Sequence, residues 1–150
     1  MLFGRILIAL DHGPISAHAA DVGVELRRAL KSDMALIHVV ADPVAISTVG
    51  DMPPTPFDNS SEIIGIEKEV GRKLLKGVRQ RLSLEPSITE YLECGEAAAE
   101  IIKVAISWSA DLIVVGSHGR HGFDHVMLGS VAESVTRSAS CPVLVITAPK

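Results

Sequence analysis

The apolar run Leu112-Ile113-Val114-Val115 feeds directly into a glycine-punctuated stretch, Gly116-Ser117-His118-Gly119, and a second pair, Gly129-Ser130, then opens a helical pattern. A strand that empties into a glycine loop and continues as a helix turns several backbone N–H groups towards one point. That is the geometry that surrounds a phosphate. Glycine suits such a loop because no Cβ blocks the approach of an anion and because positive φ costs it little. The helix beginning at Ser130 adds unpaired first-turn N–H groups and the positive end of its dipole. The stretch from Asp111 to Val131 therefore reads as a candidate nucleotide site at the carboxyl end of an interior strand.

The rest of the chain alternates strand and helix. Arg5–Leu10 is an apolar first strand with Asp11 at its end. Ser16 is positioned as a helix N-cap, with a helix to about Lys31 carrying Ala20, Val24, Leu26 and Leu30 near its apolar stripe. Met34–Val40 reads as the second strand. From Ala41 to Ser61 the periodicity vanishes and Pro53, Pro54 and Pro56 gather beside Gly50 and Asn59, which predicts a long loop over one end of a sheet. Helical spacing returns over Ile63–Leu84, where Ile63, Ile66, Val70, Leu74, Val78 and Leu82 recur every three or four residues. Ser87–Leu92 reads as a third strand and Ala97–Trp108 as a helix with Ile101, Ile102 and Ala105 inward. Leu112–Val115, a helix from Ser130 to about Ser138, and a last strand at Val143–Thr147, entered through Pro142, complete the order. Five strands interleaved with helices predict an α/β fold: a mainly parallel sheet covered on both faces, in one domain spanning residues 1–150. In such sheets ligands bind outside the carboxyl ends of the strands, where Asp11 and Gly116 both lie.

A formal charge of −4 gives no support to general nucleic-acid or anionic-membrane binding. No apolar run approaches the roughly 18–20 residues that cross a bilayer, and Arg5 and Asp11 break the opening run as a signal segment. The two cysteines, Cys94 and Cys141, fit a reducing cytoplasm, as small buried hydrophobes rather than as a disulfide. His118, His121, Asp124 and His125 carry metal-ligating chemistry, yet they sit in a glycine loop rather than on one helix face, and a metal site held by the protein is not expected. Ser117 beside His118 does not make a nucleophile–base pair, because that relationship is spatial rather than sequential. No catalytic residue is assigned.

The glycine spacing is Gly116-x2-Gly119-x9-Gly129-Ser130. It is neither a Walker A loop, for no Gly-Lys-Ser/Thr occurs, nor the dinucleotide fingerprint, for Gly-x-Gly-x-x-Gly is absent, nor a nucleophile elbow. It resembles the ATP-binding motif of the universal stress protein family, Gly-x2-Gly-x9-Gly-Ser/Thr. The resemblance extends to Ile8-Ala9-Leu10-Asp11, His38-Val39-Val40, Leu128-Gly129-Ser130-Val131-Ala132-Glu133 and Cys141-Pro142-Val143-Leu144-Val145.

That resemblance implies a Rossmann-like fold with an open sheet of order 3-2-1-4-5 that binds adenine nucleotide, and ATP with Mg²⁺ as the ligand. It implies that Asp11 hydrogen-bonds the ribose and that backbone around Ala9 and Val39 frames the adenine. Val115, Gly116 and Gly119 would line the sugar–phosphate path, Gly129, Ser130 and Val131 would hold phosphates, and Arg120 would add a charge. It further implies a homodimer through the C-terminal strand Val143–Thr147, and a cytoplasmic, nucleotide-dependent regulatory module in a stress response, acting on a protein partner the sequence does not name. A slow ATP hydrolase or nucleotidyl-transfer enzyme in the same crevice is the alternative. The chain departs from the family in carrying His12 directly after the first-strand aspartate, where a small residue is usual; an imidazole there would stack near the base or narrow its pocket.

Overall fold

The computed structural model describes residues 3–42, 60–117 and 128–148. Five strands form one sheet: β1 (Arg5–Leu10), β2 (Asp33–Val40), β3 (Thr89–Cys94), β4 (Leu112–Gly116) and β5 (Val143–Ile146). Four helices connect or follow them: α1 (Pro14–Leu30), α2 (Ser60–Arg81), α3 (Ala97–Ser107) and α4 (Ser130–Ser138). All strand pairs are parallel and the order is β3-β2-β1-β4-β5. The sheet and its order are those expected. Among the described residues no helix is long and apolar enough to cross a membrane.

β1 lies at the centre, with Leu10 opposite His38 of β2 and Ile8 opposite Val114 of β4. At the amino ends, Arg5 N–H donates to Asp111 Oδ2 (2.9 Å) and Asp111 N–H to the Arg5 carbonyl (2.8 Å), which fixes the β1–β4 register. Its side chains alternate between two buried layers, and this is why the whole strand is apolar. Ile6, Ile8 and Leu10 pack with Ala19, Ala20 and Val24 of α1 and Leu75 and Val78 of α2. Leu7 and Ala9 pack on the opposite face with Ala98, Ile101, Val104 and Ala105 of α3 and Ala132 and Val135 of α4. Each large aliphatic side chain buried in these layers contributes on the order of 1.5–3 kcal/mol.

Several local expectations need correction. Ser16 does not cap α1. The helix begins three residues earlier, at Pro14, whose fixed φ and missing N–H suit the first turn, and the cap residue is Gly13. Ser16 is instead buried, and its Oγ accepts the Asp11 N–H (2.7 Å). α2 starts at Ser60 and stops at Arg81, so Ser61 is helical and Leu82 is not; residues 43–59 of the expected loop lie outside the described residues. The inward face of α2 is Gly71, Leu75 and Val78, whereas Ile63, Ile66 and Val70 are exposed. A Cβ on Gly71 would sit 2.6 Å from Leu92 Cδ1 and 2.8 Å from His38 Cδ2, so the glycine lets α2 approach the sheet. β3 runs two residues later than expected because Ile88 N–H closes a turn on the Glu85 carbonyl (3.1 Å). β5 ends at Ile146, and Trp108 is the C-cap of α3 rather than its last turn.

α3 starts at Ala97, as expected, but the residue that caps it is not one the sequence reading singled out. Gly95, at φ 150°, a conformation that side chains disfavour, turns the chain out of β3, and Glu96 then caps the helix by accepting the N–H groups of Ala98 (3.1 Å) and Ala99 (2.7 Å). Such a cap is worth about 1 kcal/mol. Three helices close differently. Lys31 (φ 55°), Ser83 (φ 50°) and Ser109 (φ 56°) adopt left-handed backbone, and the next residue's N–H reaches back to Arg27, Arg79 and Ala105 respectively. This is the Schellman closure, made here without glycine.

Both cysteines are free and half-buried. Cys94 ends β3 and Cys141 precedes β5, at opposite edges of the sheet. Four inter-strand spacings put those edges about 19 Å apart, well beyond the reach of a disulfide. Burial, with the Asp111 carboxylate adding to it, pushes the Cys141 thiol above its ordinary pKa and keeps it protonated.

Candidate functional site

β1 connects towards β2 on one side and borders β4 on the other, so a crevice opens beyond their carboxyl ends. A cavity of about 300 Å³ occupies it. Eight of the ten expected site residues line this one cavity: Ala9, Asp11, Val39, Val115, Gly116, Gly129, Ser130 and Val131. Gly119 and Arg120 lie outside the described residues, as do His118, His121, Asp124 and His125. Among the described residues no group of three His, Cys, Asp or Glu side chains could hold a metal ion.

The lining divides by chemistry. Ile37 and Val39 of β2, with Ala97 and Ile101 of α3, make an apolar half. Gly116, Ser117, Gly129 and Ser130 make a half rich in backbone polar groups. Asp11 stands between them at the end of β1. Its Oδ1 accepts the Gly13 N–H (2.6 Å) and its own N–H is held by Ser16, so the carboxylate is fixed by the β1–α1 turn while it lines the cavity. Turn-forming and cavity-lining roles coincide in this residue.

The polar half is built by Ser117, 3 % exposed, which joins three elements. Its N–H donates to the Ile146 carbonyl at the end of β5 (2.7 Å), and its carbonyl accepts the Gly129 N–H at the start of α4 (2.5 Å). Gly129 is the N-cap of α4 and Ser130 the first helical residue, so Ser130 does not cap the helix. The cap residue Gly129 brings no side chain to the first turn of α4, and Ser130, Val131 and Ala132 of that turn line the cavity. Gly129 has φ −63° and ψ 152°, ordinary extended backbone that any residue adopts, so conformation does not demand a glycine there. Gly116 is constrained by packing. A Cβ on it would come within 3.2 Å of Ile15 Cγ2 and 3.3 Å of Ser16 N, so its glycine admits the first turn of α1.

His38, 8 % exposed, also lines the cavity, with Nδ1 2.8 Å from the Leu10 carbonyl. The exposed His12 is not among the lining residues; its ring meets His38 edge-on, with centroids 5.3 Å apart. Sequence reasoning missed Leu10, Ser16, Ile37, His38, Ala97, Ile101, Ser117 and Ala132 as wall residues. Ala97 and Ile101 lie one turn apart just after a Gly-Glu helix start, a signal available in the sequence, but only the packing of α3 against β2 brings them here.

The model of the universal stress protein family matches residues 2–147. Universal stress protein MJ0531 of Methanocaldococcus jannaschii is 35 % identical over an alignment covering 99 % of this chain and 85 % of that protein. Universal stress protein YxiE of Bacillus subtilis is 31 % identical, covering 97 % of this chain and 99 % of its own length. Among solved structures, the hypothetical protein MJ0577 superposes with a TM-score of 0.81 at 23 % identity, covering 100 % of this chain and 99 % of that one. A universal stress protein solved in complex with cAMP superposes with a TM-score of 0.68 at 19 % identity, covering 97 % and 98 %.

Proposed function

Because this chain belongs to the universal stress protein family, we propose that its crevice binds ATP with Mg²⁺, and that the protein is a cytoplasmic, homodimeric regulatory module in a stress response. One observation carries the nucleotide reading. A cavity with an apolar half and a polar half has a fixed carboxylate between them and, at the polar end, the N-terminus of a helix whose cap residue is a glycine. The apolar walls suit a base, with Ala9 and Val39 beside it. Asp11 suits a ribose hydroxyl, for which a carboxylate is a strong acceptor. The first-turn N–H groups and the Ser130 hydroxyl suit phosphate oxygens. Gly119 and Arg120 complete the proposed set from the loop between β4 and α4. Mg²⁺ would come with the phosphates it neutralises.

Calorimetric titration with ATP, ADP, AMP, cAMP and GTP tests this. The expected result is ATP binding tighter than AMP, since the polar half is directed at phosphates, and GTP weaker than ATP. Equal affinities for AMP and ATP would remove the phosphate argument. Release of ADP from bound ATP in the same samples would favour a slow hydrolase over a binding module.

A further inference from the structure

α2 carries two apolar stripes. One packs on β2 and β3 through Gly71, Leu75 and Val78. The other, Ile63, Ile66 and Val70 at i, i+3 and i+7, is 47 %, 64 % and 37 % exposed. On the same outward side lies Gly77, with nothing within 4 Å of the Cβ it lacks. A glycine inside a helix costs about 1 kcal/mol against alanine, and no described residue packs against this one or against Gly65, the other open glycine of the helix.

The charges beside this stripe are arranged by sign along the helix. Glu62, Glu67 and Glu69 lie in its first half, where Lys68 is the one opposing charge, and Lys73 and Lys76 in its second, with Arg72 taken up by Glu69 of the same helix (3.2 Å). We propose that this face of α2 pairs with the same face of a second copy of the chain, antiparallel, about a twofold axis beside Val70. An antiparallel pair sets the acidic half of one helix against the basic half of the other. With the axis at Val70, Glu67 stands level with Lys73 of the second copy, Ile66 with Leu74, which also packs on its own core, and Ile63 with Gly77, where the missing Cβ leaves room for it. A twofold contact of this kind is self-complementary by construction, each favourable contact occurring twice. The 22 residues of α2 span about 33 Å at 1.5 Å per residue, long enough for four turns of contact. α2 lies over β2 and β3, and β5 is the opposite edge of the sheet, so this surface is separate from the strand proposed above for dimer formation. A chain using both would assemble beyond a dimer.

Cross-linking reads the contact directly. In a chain with Cys94→Ser and Cys141→Ser, a Val70→Cys thiol falls on the axis and meets its own copy. Mild oxidation at micromolar protein is expected to give covalent dimer, while Lys76→Cys, off the stripe, gives little. Adding Glu67→Lys is expected to slow cross-linking about fivefold to tenfold by placing like charges opposite each other twice. Glu67→Lys with Lys73→Glu should restore it, an outcome that a purely structural effect of either substitution would not produce. No covalent dimer at Val70→Cys in a chain that melts like the parent overturns the proposal. So does indifference to the charge reversals. A Val70→Cys thiol that instead pairs with Phe57→Cys within one molecule also overturns it, since the stripe is then covered by the chain's own preceding segment.

Discussion

Gly129→Val is expected to abolish ATP binding while the protein remains folded. Gly129 sits at φ −63° and ψ 152°, which valine adopts without strain, and its two recorded backbone bonds, to the Ser117 carbonyl and from the Glu133 N–H, do not involve a side chain. What valine adds is a branched Cβ at the mouth of the α4 N-terminus, where the phosphates are proposed to lie. Glycine outranks valine as an N-cap, but the expected loss there is below about 1 kcal/mol. Ser130→Ala is the companion. It removes one hydrogen bond to a charged group, worth roughly 1.5–3 kcal/mol, or about tenfold to a hundredfold in affinity. Because Ser130 is the first helical residue and not the cap, its melting temperature is expected to stay near the parent's. Calorimetry with ATP and thermal melts of both variants make the check. Parental affinity in both would place the nucleotide elsewhere.

Val145→Pro is expected to convert a dimer built on β5 to monomer, raising the dissociation constant at least a hundredfold. Among the described residues β5 is an edge strand, paired to β4 alone. The carbonyls of Pro142, just before it, and of Ile146 accept the N–H groups of Ile113 and of Ser117, the residue after β4, so the alternate residues Val143 and Val145 turn their backbone groups to the open edge. Proline at 145 removes an outward N–H from each protomer without touching the β4 ladder, and each unmade buried bond costs about 1–3 kcal/mol. Leu144→Pro would cut the inward ladder and confuse lost folding with lost assembly. Sedimentation at micromolar protein, with a melt to confirm the fold, decides the matter; an undiminished dimer would exclude β5 as its seam.

The parallel sheet was legible because its inner strands are buried on both sides. Ile6 to Leu10 and Leu112 to Val115 are therefore unbroken apolar runs, and glycine and aspartate mark where they end. β3 was displaced by two residues because it is an edge with no contrast between its faces; all but its first residue are half-buried. α2 misled for a related reason. Periodicity reports that a stripe is apolar, not what covers it, and Ile63, Ile66 and Val70 satisfy the spacing as well as the buried set does. Ser16 lost its expected role because Pro14 starts the helix earlier, and Glu96 was overlooked because glutamate is an uncommon cap. Of the residues that line the cavity, those on strand ends and at the Gly-Ser pair are reached through the glycine spacing and the family resemblance it carries. Ala97 and Ile101 are not, for they come to the cavity only through the docking of α3.

Lys31, Ser83 and Ser109 close their helices in backbone that L-residues enter at a cost of roughly 1–2 kcal/mol each. Glycine at any of them keeps the same hydrogen bonds and removes the Cβ conflict, although the greater freedom of glycine in the unfolded chain returns part of that gain. All three lie outside the residues lining the cavity. The fold thus carries a reserve that can be drawn on at a distance: a Lys31→Gly, Ser83→Gly, Ser109→Gly chain, with a higher melting temperature and unchanged ligand affinity, is a host in which even damaging pocket substitutions stay folded long enough to be measured.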